Sequence, residues 1–157
     1  MYTLIMNIFV VDYDPNKSAQ DLCDKHVVKM ILETAQMLCA AHPIGTAPYK
    51  ATHLKHPCTL WVARSIDNYE WLLTHGYALC REYTARYGKR HKTQDVLDWL
   101  AEHKPSIPSI GLTPFAQAMP DEYKDTDVVV AYRKYYIGAK ANIACWNHSS
   151  KPSWWKV

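Results

Sequence analysis

The sequence predicts an all-α fold, a single compact domain of about four helices joined by long irregular loops. Three observations carry this. Apolar residues keep a helical period over long stretches. Strand-like alternation survives only at residues 4–11. The stretches between the periodic segments are rich in proline, glycine and threonine, or in proline alone. A chain of 157 residues favours one domain and can bury a core without disulfide or metal staples.

The elements follow in order. Met1 to Val11 is apolar but too short to span a membrane, and it lacks the basic start and small-residue cleavage site of a signal peptide. It reads as a short buried segment, and Met6 offers an alternative translation start. Asp14-Pro15 is an N-cap followed by proline at the first helical position, and nothing then breaks a helix until about Ala41. His42-Pro43 and Gly45 stop it, and residues 43–56 form a loop. Pro57 opens a second helical region, with Tyr69, Leu72, Leu73, Tyr77, Cys80 and Tyr87 on a helical period and Gly88 at its end. Thr93 caps a short helix that buries Val96, Leu97 and Leu100. Residues 104–124, with four prolines and a glycine, form a long irregular segment. A last helix starts at Asp125 or Thr126 and carries its apolar period through Ile143 and Trp146. Ser149 to Val157 reads as an exposed tail.

Hydrophobic residues at 48% and charged residues at 21% exclude a disordered chain. The 11 Tyr and 6 Trp against 2 Phe fit either a tyrosine-rich core and surface or stacking on bases. A net charge of +3 permits nucleic-acid binding without demanding it. Five widely spaced cysteines with no CxxC pair point to a reducing compartment, hence a cytoplasmic protein. His53, His56 and Cys58 lack a second ligand pair at zinc spacing, so neither a metal nor another cofactor is expected.

The sharpest pattern lies in the first helix. Over residues 24–41 apolar side chains cover more than half of its circumference. The remaining polar residues His26, Lys29, Glu33 and Gln36 fall on one line, at offsets of three, four and three. Such a stripe is either the solvent edge of a central helix or the lining of a cleft. In a cleft, a carboxylate beside a lysine and a histidine suits acid–base or charge-stabilising chemistry. Glu33, His26 and Lys29 are therefore the candidate catalytic group.

This helix carries a resemblance. Asp24-Lys25-His26, with Glu33 seven residues on, resembles the first helix of the phage pyrimidine-dimer DNA glycosylases of the endonuclease V type, which have an Asp-x-His start and a catalytic glutamate at the same spacing. His56-Pro57 and the long helix Asn68 to Gly88, ending in Arg-Tyr-Gly, are similar to that family's His-led second helix. Pro120-Asp121-Glu122-Tyr123 resembles its Pro-x-Glu-aromatic element, and Lys151-Pro152-Ser153-Trp154-Trp155-Lys156 its C-terminal tail. The resemblances run in order from about residue 6 to 156.

The resemblance implies an all-α domain with the first helix passing through the core. It implies that Glu33 stabilises a developing sugar cation while an amine attacks C1′ and forms a Schiff base, after which elimination can nick the strand. Two places depart from the family's pattern. Its amine is the α-amino group of a processed small residue, whereas Met1 is followed here by Tyr2 and Met6 by Asn7. Its lesion-gripping arginines are replaced by Leu32 and Gln36, with Lys25 and Lys29 as substitutes.

Further DNA contacts are expected from Lys55, His56 and Arg64 at the second helix start, from the basic run Arg86, Lys89, Arg90 and Lys92, and from Trp154, Trp155 and Lys156. Gln117, Asp121 and Glu122 lie in a candidate base-reading loop. The leading expectation is a monomeric enzyme on double-stranded DNA, without membrane contact, that removes damaged or modified pyrimidines. Two rivals keep the fold: a transferase that modifies thymine-derived bases in phage DNA, and a non-enzymatic nucleotide- or partner-binding counter-defence module.

Overall fold

Capping side chains set where four of the six α-helices begin, whereas the expected cap Thr93 makes no side-chain bond to its helix. In the computed structural model, which describes residues 6–156, Asp14 accepts a hydrogen bond from the Asn16 N–H, and α1 runs Pro15–Asp21. The sequence allowed that helix to continue to Ala41, but the backbone extends at Leu22 and Cys23, and α2, Asp24–Cys39, starts anew. The backbone groups at the break find partners in the core instead. The Leu22 carbonyl accepts from Arg86 at 2.8 Å, and the Cys23 N–H donates to the Tyr136 hydroxyl at 3.2 Å.

The second helical region divides in the same way. His56 caps α3, Pro57–Arg64, its Nδ1 accepting from the Cys58 N–H at 3.1 Å. Ser65 is extended, and its hydroxyl accepts from the Asp67 N–H to start α4, Ile66–Tyr87. Gly88 closes α4 at φ 68°, a left-handed turn that other residues adopt only with strain. After α5, Gln94–Glu102, residues 104–124 are irregular as expected, apart from a 3-10 turn at Asp121–Tyr123. Asp127 caps α6, Val128–Ala139. That helix ends short of the predicted Ile143 and Trp146. Trp146 is buried from the following loop instead, and its indole N–H donates to the Asp21 carbonyl at 3.2 Å. The described residues thus form six α-helices and no strand, because two of the four expected helices are each split.

Helix α4 is the central element and packs against α1, α2, α3 and α5. Gly76 permits the approach: a Cβ there would lie 3.1 Å from the Thr34 methyl and 3.2 Å from Leu97. Leu72, Leu79, Ile31, Leu38, Leu97 and Leu100 are fully buried around it, at roughly 1.5–3 kcal/mol of transfer free energy for each such side chain. Residues 6–11 thread this core without regular structure. Met6, Ile8, Phe9, Val10 and Val11 are all buried, while residues 1–5 of the predicted buried segment lie outside the described residues. Asn7 Oδ1 accepts from the Ile8 and Phe9 N–H groups and holds Phe9 at φ 57°.

The tail is docked rather than exposed. Pro152 is buried, the Trp154 indole N–H donates to Asp21 Oδ2 at 2.8 Å, and Arg133 lies 5.5 Å over the Trp154 ring. Trp155 packs on Trp146. Among the described residues, no helix is long and apolar enough to cross a membrane.

Candidate active site

The polar stripe of α2 divides into two environments. Lys29, Glu33 and Gln36 line a pocket of about 210 Å³ that is completed by Met6, Leu32 and His53. The threaded segment supplies Met6, and the loop before α3 supplies His53. Glu33 is only 9% exposed. Its Oε2 lies 3.9 Å from Lys29 Nζ, and its buried Oε1 has no hydrogen-bond partner among the described residues. Burial raises the Glu33 pKa above the ordinary carboxylate value, while Lys29 and the Asn7 backbone amide oppose the rise. A carboxylate held this way has a free acceptor and a reason to take up a proton or a positive charge.

His26 sits in the other environment. Seven residues bring it back to the same helix face as Glu33 but roughly 10 Å lower along the axis. There its ring stacks on Phe9 at 4.4 Å, and its Nδ1 is within hydrogen-bond distance of the Tyr136 hydroxyl. Burial, then the charges of Lys140, Lys29 and Lys25, push its pKa down to about 3. His26 is a neutral core residue that does not line the pocket, so it leaves the expected catalytic group. Asp24, the other half of the Asp-x-His start, is also scaffold. Its Oδ1 accepts from Arg86 at 3.1 Å, and its Oδ2 accepts from the Asn147 and His148 N–H groups.

The expected DNA contacts divide as well. Lys25 is exposed one turn before Lys29, and Lys55 is exposed two residues after His53. His56 is occupied as the α3 cap. Arg64 is exposed on a separate hollow beside Pro57, Leu60 and Trp61. Lys89, Arg90 and Lys92 are exposed at the α4–α5 turn, with Arg90 paired to Asp95 at 2.7 Å. Arg86 is the clear correction. Its side chain is 1% exposed, paired with Asp24 and Glu82, and it donates to the Leu22 and Gln20 carbonyls, so it cannot reach a phosphate. Trp154 and Trp155 are half-buried and committed to the core, with Lys156 exposed beside them. Gln117 is a second correction. Its amide nitrogen donates to the Asp125 carbonyl at 2.6 Å and its oxygen accepts the Asp125 N–H at 3.1 Å, so the side chain is tied to the loop before α6. Asp121 is exposed and paired with Lys124, and Glu122 is exposed.

Met6, Leu32 and His53 are pocket residues that the sequence did not single out for this role. Leu32 is an apolar side chain that is 44% exposed on a largely buried helix. His53 is held at φ 53°, a strained value for a residue with a side chain, and no sequence pattern signals it. Four other hollows, of about 340 to 470 Å³, are larger, yet none has a carboxylate in its wall. Among the described residues no three His, Cys, Asp or Glu side chains group as metal ligands, and His56 and Cys58 are engaged in the start of α3.

The family model described as pyrimidine dimer DNA glycosylase matches residues 6–95. That span holds the threaded segment, α1 to α4 and every residue that lines the Glu33 pocket. The Pro120–Tyr123 and tail resemblances lie beyond it. No curated protein and no solved structure matches the chain. The match covers more than half of the chain and all of its carboxylate pocket, and the protein belongs to the pyrimidine dimer DNA glycosylase family.

Proposed function

We propose that the protein is a monomeric, cytoplasmic DNA glycosylase that removes damaged or modified pyrimidines from double-stranded DNA. In this reading Glu33 is the catalytic carboxylate and Lys29 Nζ is the attacking amine. The observation that carries it is the buried Oε1 of Glu33, without a hydrogen-bond partner among the described residues, in a pocket shared with that amine. The pocket takes the sugar of a nucleotide extruded from the duplex. Lys29 gives up its ammonium proton, with Glu33 as the acceptor at hand, and its lone pair attacks C1′. The C1′–N1 bond breaks with its electron pair on the base; the C1′–O4′ bond then opens, O4′ taking up a proton as the nitrogen gives one up, and the Schiff base so formed remains on Lys29. Hydrolysis, or elimination of the 3′ phosphate, then completes the cycle. Lys25 and Lys55 hold the flanking phosphates.

Borohydride reduction during turnover on duplexes that each carry one altered pyrimidine tests this. Base release and a covalent DNA adduct that maps to Lys29 are expected. An adduct at the terminal amine overturns the assignment of Lys29 but keeps the glycosylase. No base release and no adduct on any duplex overturns the reading.

A further inference from the structure

We propose that His53 is the residue that activates the departing base, by donating its Nε2–H to a carbonyl oxygen of the pyrimidine. The inference rests on the glycosylase reading and deepens it. Breaking the C1′–N1 bond puts negative charge on the base as well as positive charge on the sugar, and Glu33 and Lys29 answer only the second need. Both lie on α2, on one wall of the pocket. Met6 and Leu32 are apolar, and Gln36 lies on the same helix as Glu33. His53 is the polar group contributed from outside α2, by the loop that precedes α3.

Three features single it out. Its Nδ1 is 3.1 Å from the Thr52 hydroxyl oxygen, which fixes the ring and leaves Nε2 as the atom open to a ligand. Its backbone is held at φ 53°, and strain of this kind persists where the surrounding structure enforces it. Of the nearby polar groups, His56 is spent on the α3 cap, Lys29 faces Glu33, and the Gln36 amide can donate a hydrogen bond but cannot transfer a proton, which leaves His53 as the proton donor among the described residues. Pyrimidines present carbonyl oxygens to such a donor, whereas adenine presents none. As the C1′–N1 electron pair moves onto the ring, the imidazolium form of His53 passes its Nε2 proton to the base oxygen. The base leaves neutral, and His53 is left as the neutral imidazole that keeps its Nδ1 proton toward the Thr52 hydroxyl.

The test compares His53→Gly with the wild type on duplexes that contain a single uracil, 5-fluorouracil, 5-hydroxymethyluracil or thymine, and on one abasic duplex. Glycine accepts φ 53° without strain, so the variant keeps its fold, as its melting temperature will show. His53→Gln, which retains a donor but no transferable proton, should fall between the two. Single-turnover release should drop by about 10²-fold on thymine, and by much less on 5-fluorouracil, whose anion leaves more readily. Borohydride trapping on the abasic duplex, where no base departs, should be unchanged. Equal losses across the base series, or an equal loss of abasic trapping, overturn the role of His53. Wild-type protein that releases none of the four bases and traps no abasic site overturns the glycosylase reading, and this inference with it.

Discussion

Two turns of one helix, those of His26 and Glu33, hold the same kind of residue in opposite conditions. Both are polar and buried, and burial is the main cause of both pKa shifts. His26 is satisfied: Tyr136 bonds it, Phe9 covers it, and no pocket touches it. Glu33 is only partly satisfied: one oxygen is unpaired among the described residues, and a pocket lies in front of it. Buried polar groups are normally hydrogen-bonded, so the exception asks for an explanation. The difference separates a histidine that packs in the core from a carboxylate that fits the proposed catalytic role.

Glu33→Gln should have the largest effect on activity. Base release should fall by ~10²–10³-fold or more, the usual loss when one preorganised charge-stabilising group is removed. Folding should not suffer. A carboxyl whose folded pKa is raised contributes stability that is fully present below the ordinary carboxylate range and is lost as pH rises through the folded value. At pH 7 the Gln variant should therefore melt no lower than the wild type, and any gain should shrink as the pH falls below 4. A variant that melts well below the wild type at pH 7 would make Glu33 scaffold, as His26 is.

Arg86→Ala tests the scaffold side. The arginine sits beneath the His26 end of α2, with its side chain 1% exposed and bonded to Asp24, Glu82 and two carbonyls. Removing it strands the buried Asp24 carboxylate, at a cost of about 3–5 kcal/mol. Urea unfolding measures this. The salt dependence of DNA binding should not change, because the guanidinium reaches no phosphate. A reduced salt slope would restore Arg86 to the DNA-contact set.

His26 gives the pH counterpart. Its folded pKa of about 3 lies below the unfolded value near 6.5, so its neutral form stabilises the fold. That stability is present above pH 6.5 and is lost as pH falls from there toward 3. The fully buried His75, pushed down to about 4, adds to the same window. Thermal melts between pH 7 and 4 should show this acid lability, and His26→Phe should flatten part of it while leaving glycosylase activity within a small factor of wild type. Abolished activity in a folded His26→Phe protein would return the histidine to the catalytic group.

The same contrast explains what the sequence could reveal. Helix periodicity, the caps at Asp14 and Gly88 and the loop at 104–124 are local signals, and each was legible. The breaks at Leu22–Cys23 and Ser65 were not, because they are set by distant partners: Arg86 and Tyr136 in one case, and Pro108, whose carbonyl accepts the Ile66 N–H, in the other. The spacing of Lys29, Glu33 and Gln36 gave one wall of the site. His53 and Met6 form the other walls through a strained loop and a threaded segment, which no periodicity encodes. The basic run at 86–92 looked uniform in sequence, yet the rotation of α4 turns Arg86 inward while Lys89, past the helix end, faces solvent.

The smallest expected effects sharpen the contrast at the surface. Lys25 and Lys55 are exposed on either side of the pocket residues Lys29 and His53, with no carboxylate bonded to either among the described residues. A phosphate contact at each should release about one counterion, so Lys25→Ala or Lys55→Ala should lower the slope of log K against log salt by ~0.9 and weaken binding alike on all sequences. Arg90 is just as exposed but already paired with Asp95 and Asp98, and its alanine variant should change the slope less. Fluorescence anisotropy of duplex binding across a salt series resolves these differences. Equal slopes for Lys25→Ala and wild type would move the DNA off the face of α2 and onto the α4–α5 turn, and would leave Glu33 facing a substrate that arrives from another direction.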